Sequence, residues 1–192
     1  MMWKRTAILA PGEFETRDTD EGKRIEGYFA KFGTRYELWE GAAETIDPGA
    51  FNLARDTDVR VLVNHDTTLV LGRTTAGTAT LRVDDVGLWG SVLINDKDQD
   101  ALNCWARTER RDVTQCSFGF DVLEELTEYG PNGSVVWHLR DVKLYEVSVC
   151  TFPAYEDTNV QARRKELDHE IKRKREAWAA ATLARLKGEK KQ

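Results

Sequence analysis

The sequence predicts a mainly β fold with helices (α+β), built as an antiparallel, closed or nearly closed β-barrel with a C-terminal helix. Up to about residue 152, several short runs alternate apolar and polar residues, which is the period of a strand with one buried face. Turn residues separate these runs, and many short strands with few inserted helices favour a barrel. Beyond residue 156 the alternation stops and charged residues dominate.

The strands are predicted in chain order from this alternation. Val59, Val61 and Val63 alternate with Arg60 and Asn64. Two turn sequences, Asp-Asp-Val-Gly and Gly-Pro-Asn-Gly, are suited to hairpins and predict antiparallel neighbours. The further predicted strands cover residues 81–84, 88–94, 135–139 and 142–152, with turns at 47–49, 84–87 and 130–133.

Two segments of the β-rich region favour helix instead. Residues 96–111 begin with acidic and end with basic residues, as the helix dipole favours, and carry four apolar residues on one face. A second, short helix is expected after Pro48, over residues 49–56. The apolar face of the longer helix consists of Ala101, Leu102, Trp105 and Ala106.

Charge divides the chain into two parts. Residues 1–155 hold 17 Lys and Arg against 26 Asp and Glu, a formal charge of −9. Residues 156–192 hold 11 against 7, a formal charge of +4, so the whole chain carries −5. We therefore expect one domain over residues 1–158 and a charged helical extension over residues 159–192.

The extension carries a thin apolar stripe. Leu167, Ile171 and Trp178 recur at helical spacing among charged residues. A stripe this thin needs a partner to be stable. It either packs on the surface of the barrel or serves as a docking or scaffold-like segment that self-cleavage could remove, and the sequence leaves both open.

Composition restricts the class of protein. A chain of 192 residues with 41% hydrophobic content can bury one substantial core. Cys104, Cys116 and Cys150 are odd in number and lack CxxC spacing, which argues against a disulfide framework and a structural zinc site. The apolar stretch at residues 7–10 is too short for a signal sequence, and no run approaches a membrane span. We therefore expect a soluble, intracellular protein in a reducing compartment, without a membrane partner.

Three short segments supply the parts of a serine hydrolase: VNHD around His65, CSFGF around Ser117 and LYEVSVCTFPAY around Glu146. A serine hydroxyl becomes a good nucleophile when a base takes its proton, and an imidazole acts as that base when a further group orients it. Segments far apart in sequence can meet on neighbouring strands. Because Gln115 stands two residues before the serine, the Gly-x-Ser-x-Gly elbow of α/β-hydrolases is absent.

Strand periodicity gives each candidate a direction. Ser117 and Gly119 share one face of a strand, whereas Cys116 and Phe118 share the other. We expect the bulky face in the core, with Cys116 as a buried small hydrophobe, and the Ser117 hydroxyl on a face that glycine keeps open. His65 continues the valine alternation at a strand end. Taken singly, these residues also fit a surface serine and a hydrogen-bonded histidine of no catalytic role.

A resemblance to a known family extends from Ile25 to about Val160. The blocks RIEGYFAKFG, ETIDPGAF, VRVLVNHD, LGRTTAGTATLRVDDVGLWGSVLIND, CSFGFDV and LRDVKLYEVSVCTFPAY resemble the prohead (procapsid) maturation proteases of tailed bacteriophages. That family is similar in fold to the herpesvirus assembly proteases. The resemblance implies a barrel of that type, with His65 as general base and Ser117 as nucleophile.

The resemblance also implies a biological role. It implies a serine endopeptidase that cleaves scaffolding segments of the capsid precursor, and itself, during procapsid maturation. Its partners would be the major capsid protein precursor and further copies of itself, without nucleic acid, inside the immature procapsid in the host cytoplasm. The alternative is a catalytically silent barrel that binds the capsid precursor as an internal scaffold. The two differ in whether His65 and Ser117 lie within hydrogen-bond reach.

The third member of the triad has three candidates. Glu146 is favoured because a carboxylate in an apolar strand is costly to bury without a partner such as an imidazole N–H. His138 shares a face with Glu146 in an unbroken strand, and the herpesvirus relatives use a second histidine in this role. Asp66 adjoins the base but points to the opposite side of a strand. Ser148, close to Glu146, is expected to be structural.

No cofactor or metal is expected. Asp96, Asp98 and Asp100 resemble the start of a calcium loop, but Ala101 stands at the position of the turn glycine and Arg107 at that of the bidentate glutamate. We expect these carboxylates at a helix start instead. The sequence has no zinc, phosphate-loop or dinucleotide motif.

Overall fold

The computed structural model describes residues 5–8, 14–152 and 157–189. Over these residues the chain is mainly β with two α-helices, which confirms the predicted α+β class. The chain divides into two compact units, Met1–Tyr155 and Glu156–Gln192. The strands are β1 Arg5–Ile8, β2 Glu15–Thr19, β3 Gly22–Lys31, β4 Arg35–Trp39, β5 Ala42–Ile46, β6 Arg60–Val63, β7 Asp66–Arg73, β8 Ala79–Val83, β9 Gly87–Leu93, β10 Gln115–Tyr129 and β11 Val135–Cys150; the helices are α1 Gln99–Glu109 and α2 Asp157–Glu189.

The strands of the first unit form two sheets. The larger sheet runs β1-β10-β11, and β11 then pairs with β5 near its start and with β6 near its end. β4 continues from β5, and β7 from β6. The smaller sheet has the order β2-β3-β9-β8. The long strand β11 therefore contacts three neighbours and organises the larger sheet.

The predicted antiparallel barrel is confirmed only in part. Most strand pairs are antiparallel, including the two predicted hairpins β8–β9 and β10–β11. The prediction is wrong for β11, which pairs in parallel with β5 and β6, because both of these strands reach it through longer connections. In the described part of the chain, β1, β2, β4, β7 and β8 each pair with one strand only. The sheets thus end in edges, and a closed barrel is not confirmed.

A hydrophobic core joins residues of the two sheets. Phe118 and Phe120 on β10 stack with ring centroids 4.8 Å apart, and both are fully buried. From the smaller sheet, Ile25 and Phe29 enter the same cluster. This packing fixes the bulky face of β10 inward, as the alternation predicts, and leaves the opposite face for Ser117.

The longer of the two predicted helices is confirmed. Helix α1 begins after Asp98, whose Oδ1 accepts the backbone N–H groups of Asp100 and Ala101 at 3.0 and 3.3 Å. Cys104 and Trp105 lie on its buried face. The carboxylate of Asp98 therefore serves as the helix cap, in agreement with the expectation that these acidic residues mark a helix start.

The short helix predicted at residues 49–56 is wrong. This segment forms turns, in which the Asn52 carbonyl accepts the N–H groups of Arg55 and Asp56. Phe51 forms a parallel bridge with Val142 of β11 instead. Hydrogen bonds to a neighbouring strand have replaced those a helix would make with itself, and local propensity does not anticipate such tertiary partners.

Helix α2 is the second unit. The side chains described between residues 164 and 182 are exposed or half-buried, and Trp178 is 71% exposed. Lys174 and Glu170 form an ion pair at 3.2 Å at helical i,i+4 spacing. None of the helices in the described part of the chain is both long and apolar enough to cross a membrane. The domain boundary at residue 158 stays a prediction.

Candidate active site

His65 lies in the two-residue turn that joins β6 to β7. Val63 pairs with Asp66, so Asn64 and His65 alone form the loop. Both have positive φ angles, 52° and 60°, as the tight turns favoured in hairpins require. Positive φ is uncommon for residues other than glycine, although asparagine and histidine adopt it more often than most. The alternation predicts that His65 continues the strand, and this is wrong. His65 instead projects from a constrained turn.

Hydrogen bonds attach this turn to β11. The Asn64 N–H donates to the Val149 carbonyl at 3.0 Å, and the Asn64 Oδ1 accepts the Thr151 N–H at 2.9 Å. The His65 N–H donates to the Ser148 Oγ at 3.1 Å. Both turn residues are thus held by the end of β11 and the residue that follows it, and this fixes the turn relative to β11.

Glu146 is the partner of the imidazole. Its Oε1 lies 2.6 Å from the His65 Nδ1, and its side chain is fully buried. Its Oε2 accepts the Ser148 hydroxyl at 2.6 Å. When Nδ1 carries the proton that it donates to the carboxylate, Nε2 is left with a free lone pair. This arrangement orients an imidazole so that Nε2 can accept a proton.

The Nε2 atom of His65 is buried, and in the described part of the chain it has no hydrogen-bond partner. Ser117 is among the described residues, so the structure shows no hydrogen bond between the His65 Nε2 and the Ser117 hydroxyl. Buried polar atoms of this kind are uncommon because they lose their hydrogen bonds to water. A catalytic role is one explanation for such an atom. The atom with an unused lone pair is the one that general-base chemistry needs.

Ser117 lies beside this pair on β10. It is opposite Ser148 of β11, and Gly119 is opposite Glu146, so these four residues share one face of the sheet. Cys116 and Phe118 lie on the other face, as predicted. Ser117 is fully buried rather than on an open face. The difference arises because the face holds the buried side chains of Glu146 and Ser148, which the alternation alone does not reveal.

Gly119 makes room for the carboxylate. A Cβ atom at this position would lie 2.4 Å from the Glu146 Oε1, well inside van der Waals contact. The glycine is therefore required by the position of Glu146 rather than by backbone conformation. The sequence signal for this glycine was the Ser-x-Gly spacing, because alternation places Ser117 and Gly119 on the same face of the strand.

The other candidates for the third position lie elsewhere. His138 pairs with Leu126 in the first half of β11, and its ring nitrogens contact Asp47 at 3.2 Å and Glu128 at 3.0 Å. Asp66 accepts the N–H and hydroxyl of Thr68, and these hydrogen bonds lower the pKa of its carboxyl. In the structure, Glu146 is the candidate that contacts His65.

The cysteines are buried and reduced. Burial raises the pKa of the Cys116 thiol far above its ordinary value, and its Sγ contacts the Tyr28 carbonyl at 3.4 Å. Burial likewise raises the pKa of Cys150 to about 12. A thiol nucleophile must be a thiolate, so Cys116 is unsuited to that role. In the described ranges, no three His, Cys, Asp or Glu side chains form a group that could hold a metal ion.

Comparison with known proteins identifies the family. The model of the caudovirus prohead serine proteases matches residues 12–173. The chain belongs to this family. It is similar to the prohead protease of Enterobacteria phage HK97, with 27% identity over 185 residues that cover 94% of this chain and 79% of the relative. No solved structure matches the chain.

The family match confirms the resemblance drawn from the sequence blocks. It covers all three predicted site residues of this prohead serine protease and continues past residue 158 into α2. Two features of the site were missed from sequence. Ser148 was expected to be structural only, and Asn64 was considered only as a neighbour of His65. Asparagine between a valine strand and a histidine is a turn signal that could have indicated the left-handed loop.

Proposed function

We propose that this prohead serine protease is an endopeptidase in which His65 is the general base, Ser117 the nucleophile and Glu146 the group that orients the base. The observation that carries the proposal is the 2.6 Å contact between the His65 Nδ1 and the buried Glu146 carboxylate. That contact leaves the Nε2 lone pair free to accept a proton, and Ser117 lies on the same face of the sheet as Glu146. A serine, an imidazole and a buried carboxylate in this relation form a known catalytic constellation on unrelated folds.

The reaction would proceed through an acyl-enzyme. The His65 Nε2 accepts the hydroxyl proton while the Ser117 Oγ attacks the scissile carbonyl carbon. The imidazolium then returns the proton to the leaving amine as the C–N bond breaks. Water attacks the acyl-enzyme, His65 takes its proton, and the proton returns to the Ser117 Oγ as the peptide carboxyl product leaves. Glu146 would stabilise the imidazolium in both halves of the reaction.

The proposed substrates follow from the family. They are the scaffolding segment of the major capsid protein precursor and, by self-cleavage, the protease itself. The reaction would take place inside the immature prohead in the host cell. The relative from phage HK97 supports this through its name, prohead protease.

The alternative, a silent scaffold that binds the capsid precursor, has less support. A buried carboxylate is costly to desolvate, and an isolated pair with histidine is a weak source of stability. Glu146 is 0% exposed and lies beside the His65 imidazole, whose Nε2 has no hydrogen-bond partner in the described part of the chain. A protein that only binds its partner has no need for such an arrangement. The His65–Glu146 arrangement favours catalysis, whereas the hydrogen bond between His65 and Ser117 that would distinguish the two functions is not formed in this structure.

The test is co-expression of the protease with its cognate capsid precursor, followed by intact-mass measurement. Ser117→Ala should reduce processing by about a thousandfold or more, as in other serine triads. Ser134→Ala, in the β10–β11 hairpin, is the matched control and should leave processing unchanged. Processing at the wild-type rate by a folded Ser117→Ala protein would refute the proposed function.

A further inference from the structure

We infer that Ser148 is a positioning residue of the proposed triad, which holds both the acid and the base in their working arrangement. This inference rests on the proposed function. Ser148 is fully buried and lies two residues after Glu146 on the same face of β11. Among the residues that the structure describes, its hydroxyl has two partners, and both belong to the proposed catalytic pair.

The first partner is the carboxylate. The Ser148 Oγ donates to the Glu146 Oε2 at 2.6 Å, while the Oε1 of the same group contacts His65. Hydrogen bonds to charged groups are short and strong, and two of them from different directions fix the plane of a carboxylate. Gly119 lies against the Glu146 Oε1 and makes room for it, but it has no side chain that could donate a hydrogen bond to the carboxylate. Ser148 is therefore the group that prevents the carboxylate from rotating away from the imidazole.

The second partner is the backbone of the base. The same Oγ accepts the His65 N–H at 3.1 Å. His65 is held at a φ of 60°, a conformation that is unfavourable for a residue with a side chain and needs support from its surroundings. The hydroxyl supplies part of that support. One side chain thus sets the carboxylate and the turn relative to each other.

Ser148 also lies directly opposite Ser117, so its own role as a nucleophile must be considered. Its proton is donated to Glu146, not to an imidazole nitrogen. A carboxylate is a much weaker base than imidazole, so this contact orients the hydroxyl without activating it. The assignment of Ser117 as nucleophile is therefore unaffected.

The experiment measures labelling of Ser117 in the full-length protein by a fluorophosphonate probe, together with precursor processing. Ser148→Ala should lower the labelling rate by about 10- to 100-fold, because a small misplacement of the base has effects of that size. The matched control is Ser91→Ala. Ser91 is also buried and donates to a carboxylate, the Glu26 Oε1 at 2.9 Å, but it lies in the smaller sheet. Its replacement should leave the labelling rate unchanged.

A double-mutant cycle separates positioning from general stability. Because Ser148 holds the Glu146 carboxylate as well as the His65 turn, Ser148→Ala should lower labelling less in a Glu146→Gln background than in the wild-type protein, whereas independent effects would add in full. Additive losses, or wild-type labelling by a folded Ser148→Ala protein, would overturn the inference. Should Ser148→Ala fail to fold, Ser148→Cys preserves the volume with a weaker donor, and wild-type labelling of that variant would overturn it as well.

The two proposals fail in different ways. If the wild-type protein neither processes the precursor nor labels at Ser117, the proposed function itself is wrong. If Ser117 is labelled in the wild-type protein and the Ser148 and Ser91 variants behave alike, only the positioning role is wrong.

Discussion

At Gly119 the sheet leaves space for the carboxylate of Glu146 and for nothing larger than hydrogen. We predict that Gly119→Ala will leave the domain folded, because the φ angle of Gly119 lies outside the left-handed region. The new methyl would lie 2.4 Å from the present position of the Glu146 Oε1 and force that atom away from His65. We expect precursor processing to fall by about 100-fold.

Processing and thermal unfolding measured on the same sample test this prediction. A folded Gly119→Ala protein that cleaves at the wild-type rate would show that the carboxylate can move without loss of activity. The orienting role of Glu146 would then have to be abandoned.

The three cysteines provide a second test at the scale of single residues. Burial raises the pKa of Cys104 to about 11 and that of Cys150 to about 12, and it raises the pKa of Cys116 further. At pH 8, which is below these values, the thiols stay protonated and unreactive. We predict that iodoacetamide will modify none of the three in the folded protein and all three in urea, as counted by intact mass. Fast modification of Cys116 in the folded protein would reopen the possibility of a thiol nucleophile.

The chemistry of single residues was sufficient to predict one contact of the candidate site from the sequence. A carboxylate amid apolar residues needs a partner, and Glu146 indeed contacts His65. The alternation of faces could not decide between Glu146 and His138, because both lie on the same face and alternation does not tell where along a 16-residue strand the site is. The role of Ser148 was not predictable, since it depends on two contacts that join separate parts of the chain.

Strand β11 is the element that assembles the site. It carries Glu146 and Ser148, pairs with the strand of Ser117 and receives the turn of His65. Residues 50–56 fix its middle portion. There Arg55 bonds both carboxylate oxygens of Asp56 and of Asp141, and Asp56 accepts the Leu144 N–H at 3.0 Å. The segment that was wrongly predicted as a helix is therefore a support for the catalytic strand.

We predict that Arg55→Met will lower the free energy of unfolding by about 2–4 kcal/mol, because it leaves the buried Asp56 carboxylate without its cation. Arg73→Met is the matched control. Arg73 also bonds both oxygens of one carboxylate, that of Asp58 at 2.7 and 2.8 Å, but the Asp58 side chain is 38% exposed whereas that of Asp56 is 0% exposed. That pair should contribute little to stability, because solvent screens exposed ion pairs.

Urea denaturation of the two variants decides the question. Equal and small changes in midpoint would mean that the Arg55 network contributes no more than a surface ion pair. The positioning of β11 would then depend on strand pairing and core packing alone.

At the scale of the whole molecule, the predicted α+β class and hairpins are confirmed, whereas the predicted closure of the strands into a barrel is not. Alternation of apolar and polar residues indicates a strand and its buried face, so β8, β9 and β11 could be predicted from their own sequences. Whether two edge strands meet depends on twist and on contacts between distant segments, which a local pattern does not contain. The parallel pairing of β11 with β5 and β6 was missed for the same reason.

The last prediction concerns the contribution of α2 to the stability of the protein. Between residues 164 and 182, none of the described side chains is buried, and Ile171 and Trp178 are exposed. Ion pairs such as Glu170 with Lys174 stabilise a helix by only about 0.2–0.5 kcal/mol each. We therefore predict that truncation after residue 160 will change the melting temperature by less than about 4 °C and preserve labelling of Ser117.

Limited proteolysis provides an independent measurement of the same prediction. A helix without a buried face opens readily, so trypsin should cleave first in the basic segment of residues 172–175 and leave a stable fragment that contains the two sheets. If the truncated protein instead unfolds, or if trypsin degrades both units together, α2 contributes to the core stability of the first unit. The boundary near residue 158 would then not separate two domains, and the sheets alone would be insufficient to hold His65, Ser117 and Glu146 in place.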